Sequence, residues 1–160
     1  MANNSAIGAL ATGLQTYTAL DGDLTNITFT PVTSWTPTLQ INNSTAGITY
    51  TTQVGQYTQI GSVVTFNFII ILSSKGASVG SVTMNVPVIP GINGNQNRFN
   101  IMFDTVTLTA NYTGISLNLG NASLTTQLIQ FGSGEAVTDL TNTEVADTST
   151  FWGTGSYIIG

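Results

Sequence analysis

From Pro31 onward, apolar and polar residues alternate with period two, in short runs separated by Gly, Asn and Ser. That period is the signature of half-buried β-strands. Phe66, Phe68, Ile70 and Leu72 fall on one face, and Val82, Met84, Val86 and Val88 repeat the alternation. Phe99, Ile101 and Phe103 continue it, then Val106 and Leu108, then Ile115, Leu117 and Leu119, then Gln127, Ile129 and Phe131 after a turn at Gly120-Asn121. A last strand is expected from Ser149 to Ile159. The pattern predicts seven to nine strands with no alternating helices, hence an all-β fold: an antiparallel β-sandwich of jelly-roll type.

One run departs from alternation. Val63 to Leu72 is almost continuously apolar, but ten residues are half of what a membrane-spanning helix needs, and Asn67 interrupts them. Its β-branched and aromatic content marks a strand buried on both faces, or on one face by the sandwich and on the other by a neighbouring subunit. Pro87 and Pro90 close the preceding strand pattern and open the sequence GINGNQN, whose Asn93, Asn95, Gln96 and Asn97 predict an exposed tip.

Residues 1–30 read differently. Ile7, Leu10, Leu14, Tyr17 and Leu24 form a heptad-like seam, yet Gly8, Gly13 and Gly22 disfavour a long helix. The expectation is an N-terminal arm over 1–30, ordered against partners, followed by one domain over 31–160. The opening residues lack a basic region and a continuous apolar stretch, so they do not resemble a secretory signal. The six Asn-x-Ser/Thr sequons are what a chain rich in Asn and Thr produces by chance.

Composition sharpens this reading. Charged residues make up 6% of the chain, against roughly 25% in ordinary soluble proteins. A surface of hydroxyls and carboxamides lets neighbouring copies pack without desolvating charge. Lys75 and Arg98 are the only cations and the net charge is −5, which argues against nucleic acid and anionic membranes as partners. There is no cysteine and no histidine.

Candidate chemistry is correspondingly thin, because acid-base and nucleophilic catalysis need a tuned titratable group or an activated nucleophile. The seven carboxylates are Asp21, Asp23, Asp104, Glu135, Asp139, Glu144 and Asp147. A glycosidase would need two of them facing one another across a sugar; solvated or turn-capping acids are the simpler reading. Asp21-Gly22-Asp23 lacks the further oxygens of a calcium loop and reads as a turn. No enzyme activity, cofactor or metal is expected. Trp35, Tyr50, Tyr57, Phe131, Trp152 and Tyr157 could offer a sugar-stacking platform or pack in the core, and their strand context favours packing.

A family resemblance adds to this. The succession Trp35-Thr36-Pro37-Thr38-Leu39, Gly47-Ile48-Thr49-Tyr50, Gly55-Gln56-Tyr57, Ile60-Gly61, Val64-Thr65-Phe66 and Ser74-Lys75-Gly76, with the closing Trp152-Gly153-Thr154-Gly155-Ser156-Tyr157-Ile158, resembles the β-rich domain at the ends of phage tail fibres and other virion surface proteins. The resemblance implies a trimeric, non-enzymatic domain on the outer surface of a virion assembled in the host cytoplasm, holding other virion proteins or touching a host surface. Without a fibre shaft before it, the domain fits a head-decoration or cement protein attached to the major capsid protein; the alternative is a tail-fibre or head-fibre module recognising host glycans. On this reading Ile7, Leu10, Leu14, Tyr17 and Leu24 attach to the capsid, Lys75, Arg98, Trp35 and Trp152 lie at subunit contacts, and Asn93, Asn95, Gln96 and Asn97 form a receptor loop.

Overall fold

The computed structural model describes residues 31–91, 97–119 and 123–159, and among them every regular element is a strand. The strands are β1 (Thr33–Trp35), β2 (Leu39–Ile41), β3 (Ile48–Ile60), β4 (Val63–Lys75), β5 (Val82–Asn85), β6 (Asn97–Val106), β7 (Gly114–Leu119), β8 (Thr125–Phe131), β9 (Thr138–Asp139) and β10 (Val145–Ile158). All pairings are antiparallel, along the path β1-β3-β4-β10-β6-β7-β8-β5-β2, with β9 added to β8.

This single path curls into a half-barrel because β6 changes partner midway. Asn97 to Ile101 pair with β7, whereas Met102, Phe103 and Asp104 pair with β10. Strands that switch neighbours at a bulge turn the corner between sheets. The corner is built around Thr105, a β-branched residue held at φ 56°. Ser149, fully buried, clamps it: its hydroxyl donates to Thr105 O at 2.6 Å and accepts from Ala146 N at 2.8 Å.

The two ends of the path meet through Thr36, Pro37 and Thr38, which join β1 to β2. Asn85 holds this link, its carboxamide accepting from Thr38 N at 2.5 Å and donating to Thr36 O at 3.0 Å. Two tyrosines act as substitute strand partners. Tyr50 Oη accepts from Leu39 N at 3.0 Å, and Tyr157 Oη accepts from Val88 N at 3.1 Å while donating to Val88 O at 2.7 Å.

The core lies inside the curl, with Val64, Phe66, Phe68, Ile70 and Leu72 of β4 facing Ile115, Leu117 and Leu119 of β7, Leu128 of β8 and Val82 and Met84 of β5. Phe66 is its centre, edge-on to Trp35, Phe99 and Tyr157 at 6.4, 5.8 and 5.8 Å between ring centroids. Trp35 lies directly over Gly55, and a Cβ on Gly155 would come within 2.7 Å of the Phe99 ring, so both glycines exist to admit an aromatic ring.

Several expectations change. Of the two expectations for β4, burial on both faces within the chain is excluded: Val64, Phe66, Phe68, Ile70 and Leu72 are inward, while Val63, Thr65, Asn67 and Ile69 are exposed in the chain. On β8 the buried residues are Thr126, Leu128, Ile129 and Gln130, so of the expected set Gln127, Ile129 and Phe131 only Ile129 is buried, and Leu128 is the one that joins the core cluster. The polar members hid the pattern because their bonding capacity is met inside: Thr126 Oγ1 donates to Asn118 O at 2.7 Å, and Gln130 Oε1 accepts from Thr109 N at 3.1 Å. The alternation from Val82 to Val88 stops as a strand at Asn85, two residues before Pro87, and the last strand begins earlier than expected, at Val145.

Candidate interaction surface

The outer face of β3, β4, β10 and β6 follows from register alone. Residues paired across an antiparallel sheet point to the same side, and Val54 pairs with Ile69, Ile69 with Trp152, and Trp152 with Met102. These four form an apolar row across four strands, with Val54, Ile69 and Met102 at 53%, 36% and 60% exposure and Trp152 half-buried. A second row, Ile60, Val63 and Ile158, crosses three strands at the end of the wall, and all three are exposed.

Between the rows lie Gln56, Asn67 and Thr154, then Thr58, Thr65 and Ser156. Thr65 and Ser156 share a hydroxyl bond of 2.8 Å across strands. No charged residue stands in any of these rows, and Asp104 lies only at the margin, one pair beyond Met102. Exposed apolar rows of this kind, uncharged and free of lysine, are what a contact face would present.

The charges are engaged elsewhere. Lys75 Nζ donates to the backbone oxygens of Asn142 and Val145 at 2.8 and 2.7 Å, and Lys75 N donates to Asp147 Oδ1 at 2.9 Å. Lys75 therefore pins the loop before β10 in its own chain. Glu144 accepts from the Thr141 hydroxyl and amide and from the Thr143 and Thr109 hydroxyls. Burial pushes its carboxyl upward, but these bonds outweigh burial and hold it below the ordinary value. Asp104, Glu135 and Asp139 likewise accept from Thr105 N, Asn111 Nδ2 and Ser81 Oγ. Each described carboxylate thus fastens a turn or a loop.

The residues singled out in the sequence are not brought to one place. Trp35 packs inward against Phe66, whereas Trp152 is in the middle of the apolar row. Arg98 is exposed on β6, paired with Asn118 of β7, far along the sheet path from Lys75 on β4. Asn97 begins β6; Asn93, Asn95 and Gln96, and the arm residues Ile7, Leu10, Leu14, Tyr17 and Leu24, lie outside the described residues. Val54 and Met102 are wall residues that sequence reading missed, whereas Ile69 lies in the run Val63 to Leu72, for which cover by a neighbouring subunit was one of two expectations. The signal for Ile69 was present, since an apolar residue interrupting the polar face of β4 asks for cover.

Compared with known proteins, the chain matches no family model and no curated protein.

Proposed function

We propose that the protein is a non-enzymatic structural protein of a tailed-phage virion, a homotrimeric β-sandwich of jelly-roll type that decorates the outer surface of the head as a cement protein. Residues 1–30 fasten it to the major capsid protein, and the apolar wall of β3, β4, β10 and β6 packs copies against one another. The uncharged wall carries this reading, together with the resemblance to virion surface domains. Three strands spaced at about 4.8 Å over the nine residues Val63 to Ile71 at about 3.4 Å each, widened by β6 only beside Thr150 to Trp152, span on the order of 500 Å². That is about three-fifths of the roughly 800 Å² per partner of a stable interface.

Weak contacts repeated over many copies suit a lattice, where the second contact forms at high effective concentration. Removing residues 1 to 25 is expected to leave a folded domain that no longer occupies purified particles. Undiminished occupancy of particles by the shortened chain overturns the attachment role. A fibre-tip module recognising host glycans is the second reading, favoured by the carboxamide-rich surface on the other half of the sheet.

A further inference from the structure

The outer face of β2, β5, β8, β7 and β6 is the chemical opposite of the apolar wall. Register sets Gln40, Thr83, Gln127, Asn118 and Arg98 side by side across five strands, with no apolar member. Along this row a depression of about 350 Å³ opens, lined by Asn43, Thr83, Asn118, Ser123, Thr125 and Gln127. Asn43 reaches it from the tight turn after β2, where Asn42 and Asn43 hold φ 53° and 58°.

Every lining side chain is a hydroxyl or a carboxamide, and both kinds of group donate as well as accept hydrogen bonds. An inorganic ion finds no countercharge in this lining, and a lipid chain finds no apolar wall. A sugar hydroxyl, which also donates and accepts, matches it group for group. Two oxygens of the lining residues, Thr83 Oγ1 and Asn118 Oδ1, are buried without a hydrogen-bond partner. Native structures leave few such groups unmet. Gln127 stands between them, paired with Thr83 on one side and Asn118 on the other.

We propose that this depression binds a neutral saccharide of one or two sugar units, with Gln127 as the movable cover and Thr83 and Asn118 as the groups that engage hydroxyls once it turns. Its volume sits at the low end of ligand sites, about 300–1,000 Å³. A single shallow site of this sort holds its ligand weakly, and several copies on one particle multiply the hold through effective concentration. The inference is independent of the assembly reading, because it uses the opposite half of the sheet.

The test is a nuclear magnetic resonance titration of the full-length protein with glucose, galactose, N-acetylglucosamine and their short oligomers at millimolar concentrations. The side-chain amides of Asn43, Asn118 and Gln127 serve as reporters, and glucuronate and glycerol as controls. Saturable shifts at those amides with a neutral sugar, absent with glycerol, are expected. The double variant Thr83→Val, Asn118→Leu removes the two unpartnered oxygens; it is expected to melt no lower than the parent and to bind at least about tenfold more weakly, the loss of one good hydrogen bond. A purely structural role predicts the reverse, a lower melting temperature with unchanged shifts. Failure of every neutral sugar to produce saturable shifts, shifts that persist in the double variant, or a response to glucuronate alone overturns the proposal.

Discussion

Ile69→Lys places an ammonium at the centre of the apolar row, between Val54 and Trp152. Val54, Ile69 and Met102 stand at 53%, 36% and 60% exposure, which leaves about one and a half side chains' worth of apolar surface for a partner to cover. At about 2 kcal/mol for a fully buried side chain, that is about 3 kcal/mol per copy. Roughly two orders of magnitude in dissociation constant follow. Lysine both withdraws part of this and demands desolvation of its charge on association. The folded chain should tolerate it, because Ile69 faces outward and the lysine stem can lie along the strand surface with its ammonium in water. Analytical ultracentrifugation over a concentration series, with thermal melting beside it, separates the two effects. Association weakened at least about 100-fold with a melting temperature within a few degrees of the parent is expected. An unchanged oligomer at equal concentration refutes the wall as the contact between copies.

Two further outcomes test the fold that presents these surfaces. Ser149→Ala strands the Thr105 carbonyl and the Ala146 amide at the corner of the sheet, and should cost about 2–3 kcal/mol in urea unfolding; a loss under about 0.5 kcal/mol, the range of neutral surface changes, refutes the clamp. Burial pushes the Tyr157 phenol up to about 12, against the lowering effect of its Val88 bond and with a smaller push from Tyr57. Because its neutral form is the one the fold favours, this stability is complete below the ordinary value of 10.0 and is lost as pH rises toward 12. Tyr157→Phe should flatten the alkaline fall in the unfolding midpoint; an identical pH profile refutes the assignment.

The strands were largely legible because their inward positions are apolar at period two, most plainly from Phe66 to Leu72. β8 was misread because Thr126 and Gln130 occupy inward positions and satisfy their polar groups there, which no hydropathy pattern reveals. The corner at β6 was illegible for a different reason: Ile101 and Met102 are adjacent apolar residues, and nothing local says that one pairs toward β7 and the next toward β10. The surfaces depend on register in the same way. Trp152 stood out in the sequence as a contact residue, but its row with Val54, Ile69 and Met102 joins positions nearly a hundred residues apart. Lys75, expected at a subunit contact, bonds carbonyls of its own chain, because a loop some seventy residues later folds back onto the end of β4.

The scarcity of charge acquires a structural meaning from where the charges are. Lys75 and the described carboxylates hold loops or turns, and the broad outer faces carry only Arg98 at one end of the polar row and Asp104 at the margin of the wall, so little charge is there to repel a second copy or steer a charged partner at long range. Selectivity on such faces must come from short-range fit. On the wall, two apolar rows are separated by two rows of Thr, Ser, Asn and Gln, so a partner that slides by one strand position would set apolar groups against hydroxyls and leave hydrogen-bonding groups unmet. Burying hydroxyls and carboxamides in register costs far less than burying ions, and the penalty for misregister still selects one arrangement. The same composition that makes the chain look featureless therefore lets it associate closely while discriminating between alignments, and on the opposite face it supplies a lining that answers to neutral, hydroxyl-rich ligands alone.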